Sequence, residues 1–428
     1  MTEQEYLFEL IEGSASPYHC VATAKKRLDA AGFTTISYNE KWDLKKGGRY
    51  VMEHHGAALF AFTIGKNYGK TDMIRMAAAH TDYPFLRIKP NADFQTDSYA
   101  QVNLEVYGGP ILNTWFDRPL GVAGRVVTRS KDLFAPAEHL YQSSKPLMII
   151  PNLAIHMNRD VNTGVEINKQ VDLMPILEAL PKEQKTTKYF LSVLAKDLGV
   201  MEEDILDFEL NTFIWESPCY VGAEDSMISA PRLDNQTSIS ALLSAVIDGK
   251  RDSGINLIAL FDHEEVGSGS KQGAASIFLH DMTKRILASL GLEDDEIEAA
   301  IYDAMILSVD VAHALHPNKA GKMDITNHPV MGSGFCIKEA CGQTYATDSK
   351  AIAILCQICD SKKIPYQRFV NRSDLRGGST LGAIASTMLP VKTVDVGIPI
   401  LAMHSTRELM GSADMDSMKD AVTAFFAL

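Results

Sequence analysis

The chain contains short apolar runs with the length of buried strands, and helical patterns lie between them. The clearest of these runs are at 73–79, 255–260 and 304–309. Helical patterns occupy about 240–247, 281–290, 349–361 and 415–426. Strands that alternate with helices predict an α/β domain, in which residues just beyond the strand ends line the edge where ligands bind.

A different pattern occupies the region from about 93 to 221. Segments such as 100–107 and 121–127 alternate apolar and polar residues between Gly and Pro turns, as half-buried antiparallel strands do. We therefore predict a β-rich insertion at 93–221 within a discontinuous α/β domain made of 1–92 and 222–428.

Composition and charge argue against several classes of function. The 428 residues carry a formal net charge of -13, so the chain offers no basic field to a nucleic-acid backbone or an anionic membrane. The first residues lack the basic start and apolar run of a signal peptide, and no apolar segment reaches the ~18 residues of a membrane span. We expect a cytoplasmic protein with neither nucleic acid nor membrane as a partner.

The six cysteines are few for this length and are expected to stay reduced in the cytoplasm. Cys356 and Cys359 have the spacing of a redox or zinc motif. They also continue the apolar helix face of 351–355, where buried cysteines behave as small hydrophobic residues. We favour this structural interpretation.

Five potential metal ligands lie at or just beyond predicted strand ends, namely His80, Asp234, Glu265, Asp310 and His404. Singly, each has an ordinary alternative: Asp234 could cap the following helix, and His313 or His316 could take the place of Asp310. Together, two histidines and three carboxylates suit a pair of divalent ions such as zinc, with cobalt or manganese as alternatives. A carboxylate shared by two such ions would hold them close together, and a water between them would be acidified.

Glu264 and Asp82, each close in sequence to a potential metal ligand, suggest how such a centre would work. Glu264 lies beside Glu265 in a stretch that could otherwise be a charged turn, and a spare carboxylate there could take the proton of the water. In His80-Thr81-Asp82, the carboxylate could fix the tautomer of the imidazole through its other ring nitrogen. His156 is isolated among apolar residues, and its own surroundings favour a structural role.

The sequence resembles the aspartyl aminopeptidases, a group of dinuclear zinc exopeptidases. Similar motifs follow one another in the same order at 15–19, 80–82, 232–235, 262–268, 310–318 and 403–408. The chain lacks His-Glu-x-x-His, the motif of many single-zinc proteases. The resemblance implies a mixed-sheet α/β/α fold, a β-rich insertion that serves as a dimerisation domain, and dimers that assemble into a dodecamer.

The resemblance also implies a role for each metal ligand. Asp234 would bridge two metal ions. His80 and Asp310 would complete the coordination of one ion, and Glu265 and His404 that of the other.

Further roles follow from the same resemblance. Glu264 would be the general base, and Asp82 would orient His80. His156 would reach the active site of the neighbouring subunit and help to stabilise the tetrahedral intermediate. Lys338 would pair with the acidic side chain of the first substrate residue.

Three positions depart from the family pattern. Thr344 stands where many relatives carry arginine, and Tyr83 and 376–378 also differ. These positions lie outside the metal set but bear on the substrate pocket. The sequence therefore predicts a metal-dependent aminopeptidase that removes N-terminal residues, Asp or Glu, from peptides. The alternatives are a related dinuclear deacylase or carboxypeptidase acting on N-acyl amino acids, and a metal-binding assembly scaffold without enzymatic activity.

Overall fold

The apolar runs form strands and the segments between them form helices in the computed structural model, which describes Met1–Leu428. The chain divides into two units. The first comprises Met1–Tyr83, Pro218–Met403 and Glu408–Leu428, and the second comprises Pro84–Ser217 and His404–Arg407. No helix is both long enough and apolar enough to cross a membrane.

The helices are α1 (Glu3–Glu12), α2 (Pro17–Ala30), α3 (Tyr189–Leu198), α4 (Leu233–Asp248), α5 (Phe278–Ser289), α6 (Asp294–Asp303), α7 (Ser349–Lys362), α8 (Leu381–Met388) and α9 (Ser412–Ala427). The first ten strands are β1 (Thr34–Thr35), β2 (Arg49–His54), β3 (Ala58–Ile64), β4 (Ile74–His80), β5 (Phe85–Thr96), β6 (Tyr99–Tyr107), β7 (Leu120–Thr128), β8 (Ala137–Gln142), β9 (Ile176–Ala179) and β10 (Ile205–Ile214). The remaining strands are β11 (Cys219–Val221), β12 (Met227–Ala230), β13 (Ile255–Phe261), β14 (Met305–Val309), β15 (Ala312–His313), β16 (Phe335–Glu339), β17 (Tyr366–Val370), β18 (Lys392–Gly397), β19 (Pro399–Leu401) and β20 (Glu408–Gly411).

A nine-stranded sheet forms the centre of the first unit, in the order β1-β2-β3-β13-β4-β14-β18-β16-β17. Strands β13, β4, β14 and β18 are parallel, whereas β3 and β16 run antiparallel to their neighbours β13 and β18. A second sheet has the order β11-β12-β20-β19-β15. The main sheet is therefore mixed, with its parallel strands in the middle.

Two apolar cores lie on opposite faces of this sheet. Ile258 and Leu260 of β13 pack into a core that also contains residues of α4, α7 and α9. Leu257 and Ala259 of the same strand pack with residues of α5, α6 and α8. Successive side chains of a strand point to opposite faces, so helices cover both faces of the sheet. The structure confirms the mixed α/β/α fold.

The second unit is built around a six-stranded antiparallel sheet in the order β8-β7-β10-β5-β6-β9. This unit begins earlier than residue 93, the start expected from the sequence, because β5 is one continuous strand from Phe85. It also ends before 221, because β11 pairs with β12 of the first unit. The dimerisation role of this unit stays a prediction.

Candidate metal centre

The candidate site lies where three neighbouring parallel strands of the main sheet end. His80 is the last residue of β4, and its Cα lies opposite that of Phe261, the last residue of β13. Asp310 directly follows β14, which pairs with β4 on its other side. The three ends are held in register by the sheet, so their polar residues share one edge.

His80 occupies the middle of this group and is 1% exposed. Its Nε2 atom lies 3.3 Å from Asp234 Oδ1 and 3.5 Å from Asp310 Oδ1. Its Nδ1 atom lies 3.0 Å from the carbonyl oxygen of Asp82 and 3.3 Å from Asp82 Oδ1. One ring nitrogen therefore faces two carboxylates, and Asp82 sets the direction of the ring through the other.

The Asp82 carboxylate makes a second set of contacts. Its two oxygens accept the backbone N–H groups of Glu264 and Glu265, each at 3.1 Å. His263, just before them, has φ 62°, a left-handed conformation that a non-glycine residue needs support to keep. This stretch is thus a positioned turn that is hydrogen-bonded to Asp82, and it is not an exposed charged loop.

The donor atoms of His80, Asp234 and Glu265 all lie within 4.8 Å of one another. An imidazole and two carboxylates at this separation form a nitrogen- and oxygen-rich set of the kind that binds zinc. Asp310, the fourth predicted ligand in the first unit, faces the same imidazole nitrogen as Asp234. The residues present therefore fit a divalent ion.

The charges in the site point the same way. Burial lowers the pKa of His80, but hydrogen bonds to Asp234, Asp310 and Asp82 outweigh this effect and raise it well above its usual value. Burial, with neighbouring carboxylates, raises the pKa of Glu264 to about 8. Three aspartate carboxylates around one buried imidazole favour a cation at this place, and a metal ion would displace the imidazole proton.

Asp234 is positioned by the backbone rather than by a helix cap. Its φ and ψ are not helical, and no side chain caps α4, so the capping role considered from the sequence is absent. The N–H of Asp234 donates to Glu408 Oε2 at 3.0 Å. The side-chain amide of Asn235 donates to the carbonyl oxygen of Val309 at 3.1 Å. Sequence reasoning assigned no site role to Glu408 or Asn235, although each belongs to a motif that carries the resemblance.

Asp310 has two further neighbours. A Cβ atom on Gly397 would lie 1.8 Å from its carbonyl oxygen, so glycine alone allows β18 to approach this closely. Lys338 is 1% exposed, and its Nζ lies 3.6 Å from Asp310 Oδ2 and 3.0 Å from the carbonyl oxygen of Val311. Burial lowers the pKa of Lys338, but the charges of Asp310 and Asp395 raise it above its usual value. The ammonium group is therefore held as a cation inside the protein.

The two histidines that could compete with Asp310 have other surroundings. His316 accepts the N–H of Asn318 through Nδ1, at 3.2 Å. The ring of His313 lies 6.0 Å from that of Phe369, centroid to centroid. Neither belongs to the close donor group around His80.

The remaining predicted site residues, His156 and His404, belong to the second unit. His156 is exposed in a segment without regular secondary structure. The Nδ1 atom of His404 lies 3.1 Å from the carbonyl oxygen of Gly109, and its own carbonyl oxygen accepts the N–H of Ile111 at 2.9 Å. The ligand role of His404 stays a prediction.

A family model described as aminopeptidase I zinc metalloprotease (M18) matches residues 10–426. The chain belongs to the M18 aminopeptidase family. It is accordingly a hydrolase of the zinc metalloprotease class, and the resemblance to the aspartyl aminopeptidases fits this membership.

Relatives match this M18 aminopeptidase over nearly its whole length. It is 42% identical over 423 residues to a probable M18 family aminopeptidase 2 of Clostridium acetobutylicum, covering 99% of this chain and 98% of that one. It is 37% identical over 423 residues to a protein of the same name from Pseudomonas aeruginosa (strain UCBPP-PA14), covering 98% and 97%.

Solved structures agree with the fold. A chain in the complex of Ape4 and Nbr1 superposes with a TM-score of 0.94 at 31% identity, covering 99% of this chain and 85% of that one. Chaetomium thermophilum mApe1 superposes with a TM-score of 0.88 at 28% identity, covering 99% and 96%.

Proposed function

We propose that this M18 aminopeptidase removes N-terminal residues from peptides, with a preference for Asp or Glu. We further propose that it uses two divalent metal ions and that these are zinc. The observation that carries the proposal is the convergence of His80, Asp234 and Glu265, whose donor atoms lie within 4.8 Å of one another. Glu264 is next in the chain to one of these ligands and is not itself a member of the set.

The proposed ligand sets are those that the resemblance implies. Asp234 would be shared, His80 and Asp310 would complete one set, and Glu265 and His404 would complete the other. When bound, the ions would acidify a water molecule and polarise the carbonyl group of the scissile peptide bond.

Glu264 moves the proton in this proposal. Its carboxylate accepts a proton from the attacking water and then gives it to the nitrogen of the leaving amine. The turn that carries Glu264 is anchored by Asp82, so the carboxylate does not have to be ordered at the moment of reaction. A peptide whose N-terminal amine is free would be the substrate, and a blocked peptide would be rejected.

Lys338 is the proposed contact for the acidic side chain of the first substrate residue. A buried ammonium group beside Asp310 supports this role, because a charge-assisted hydrogen bond is strong where water is excluded. Because Thr344 stands where the resemblance leads us to expect arginine, the preference for acidic residues has to be tested directly.

The second unit is proposed to form dimers, and the dimers a dodecamer, in the cytoplasm. Apolar side chains near His156 support an interface here, because Leu153 and Met157 are 53% and 70% exposed. His156 would act in the active site of the neighbouring subunit.

The function is tested with the chelated protein to which zinc, cobalt or manganese is added back. Peptides that differ only in their first residue, Asp, Glu, Leu or Ala, are compared, together with the N-acetylated form of the Asp peptide. We expect turnover to depend on metal, to be highest for Asp or Glu, and to vanish for the acetylated peptide. Cleavage of the acetylated peptide would favour the deacylase alternative, and bound metal without any turnover would favour a scaffold.

A further inference from the structure

Glu408 is a buried carboxylate that no metal set includes. It is the first residue of β20, is 2% exposed, and its Cα lies opposite that of Ala230, the last residue of β12. Its Oε2 atom accepts the backbone N–H of Asp234 at 3.0 Å. The side chain thus reaches past the end of the paired strand to Asp234, the second residue of α4.

We infer that Glu408 is a positioning residue for Asp234, which it holds by the backbone so that the carboxylate of Asp234 faces the metal centre. The inference rests on the proposed function, in which Asp234 is the ligand shared by both ions. A shared ligand is sensitive to its position, because a displacement changes its contact with both ions together.

Arg232, two residues before Asp234, also interacts with the charge of Glu408. Arg232 has φ 62°, a left-handed conformation that a non-glycine residue keeps only with support from its surroundings. Its Nη2 atom donates to the carbonyl oxygen of Ile11 at 2.9 Å, and its guanidinium group lies 5.4 Å from the ring centroid of Tyr83. The negative charge of Glu408 interacts favourably with this buried cation. Glu408 therefore stabilises the charge of Arg232 and accepts the N–H of Asp234.

A second anchor lies on the other side of Asp234. The fully buried amide of Asn235 donates to the carbonyl oxygen of Val309, the residue before Asp310. If the side chain of Glu408 is removed, the buried N–H of Asp234 loses its acceptor at 3.0 Å, which is unfavourable. The peptide is then expected to turn about the remaining anchor at Asn235, and the carboxylate of Asp234 turns with it.

The test is the affinity of the purified full-length protein for zinc, measured by competition with a chromophoric chelator. In Glu408→Ala, we expect the dissociation constant to rise about 10–100-fold, the usual effect of losing a residue that orients a metal ligand. In Glu408→Gln, the amide oxygen still accepts the N–H, so the dissociation constant should stay closer to that of the wild type. Circular dichroism of the chelated proteins checks that each variant is folded.

Asp414→Ala is the matched control. Asp414 on α9 is also a buried carboxylate that accepts backbone N–H groups, from Gly332 at 2.6 Å and Gly334 at 2.8 Å. Its loss should lower the melting temperature without changing zinc affinity. An unchanged zinc affinity in Glu408→Ala, or an equal loss in Asp414→Ala, would overturn the inference. If Glu408→Ala does not fold, Glu408→Asp replaces it, because the shorter side chain keeps the charge but loses the reach.

Zinc binding by the wild-type protein distinguishes a failure of this inference from a failure of the proposed function. A wild-type protein that binds no zinc contradicts the proposed function itself. A wild type that binds zinc, with Glu408→Ala binding it equally well, contradicts only the role of Glu408.

Discussion

The Asp82 carboxylate accepts the backbone N–H of Glu264 at 3.1 Å. The oxygen that accepts this N–H, Oδ1, also lies 3.3 Å from Nδ1 of His80. The other oxygen, Oδ2, accepts the N–H of Glu265. One side chain therefore joins the end of β4 to the turn after β13. The spacing of Asp82 to His80 predicts an orienting role toward the imidazole. The geometry supports a second role as well, because the carboxylate also anchors the turn that carries Glu264, the proposed base.

Replacing Asp82 by Ala should affect metal binding and turnover separately. Zinc affinity is expected to fall about 10–100-fold, because Nδ1 of His80 loses the Asp82 carboxylate and keeps only the backbone carbonyl oxygen of residue 82. Saturating zinc should then restore occupancy but not kcat, because the backbone of Glu264 is no longer anchored. The measurement is kcat across a zinc titration. Full recovery of kcat at high zinc would show that Asp82 acts on His80 alone.

Replacing Glu264 by Gln should remove turnover and leave the metal in place. A positioned general base contributes about 10²–10⁴-fold to rate, and we expect kcat to fall within that range. Zinc content, measured on the same preparation, should equal that of the wild type. Glu265→Gln is the control from the next position, and it should lose zinc affinity instead. Retained hydrolysis in Glu264→Gln would reject Glu264 as the base.

The strand ends that carry the site could be predicted from the sequence. The runs that form β4, β13 and β14 are short and mostly apolar, and each ends at or next to a polar or charged residue. Such a change of character marks the point where a buried strand reaches the sheet edge. The types of the candidate ligands then predicted the chemistry, because histidine with carboxylates suits few ions other than zinc and its neighbours.

The contacts that orient the ligands could not be predicted in this way. Glu408 and Asp234 are 174 positions apart in the sequence. The carboxylate of Glu408 accepts a backbone N–H, a group that every residue except proline has. No pattern of residue types marks such a pair. The second unit starts at Pro84 rather than at the expected residue 93 because β5 begins at Phe85, soon after β4 ends at His80, and no long loop marks the boundary in the sequence.

Replacing Lys338 by Met tests the acidic preference with little change in the volume of a buried side chain. If the ammonium group binds the acidic side chain of the substrate, kcat/KM for the Asp peptide should fall about 10–100-fold more than that for the Leu peptide. That range corresponds to the ~1.5–3 kcal/mol of a hydrogen bond to a charged group. Equal losses for the two peptides would contradict substrate recognition. They would leave the 3.6 Å contact with Asp310 as the main role of Lys338.

His19 gives the zinc-free protein a dependence on acid pH that can be worked out in advance. It is buried in α2 with its Nδ1 atom 2.7 Å from Ser16 Oγ, and burial lowers its pKa to about 4. The unfolded chain has a histidine pKa of about 6.5, so between these values the unfolded state binds a proton that the folded state does not. Stability therefore falls as the pH drops from about 6.5 to 4, and this group contributes no pH dependence above that window. At ~1.36 kcal/mol per pKa unit, the full effect is on the order of 3 kcal/mol.

The measurement is urea unfolding of chelated wild type and His19→Gln at several pH values from 4 to 7.5. Chelation matters because loss of metal in acid would otherwise add its own pH dependence. Glutamine keeps a polar group beside Ser16 but does not titrate. Any advantage of the wild type over the variant at pH 7.5 should shrink, or reverse, by about 2–3 kcal/mol at pH 4. A difference between the two proteins that is the same at both pH values would show that His19 is protonated as easily in the folded protein as in the unfolded chain.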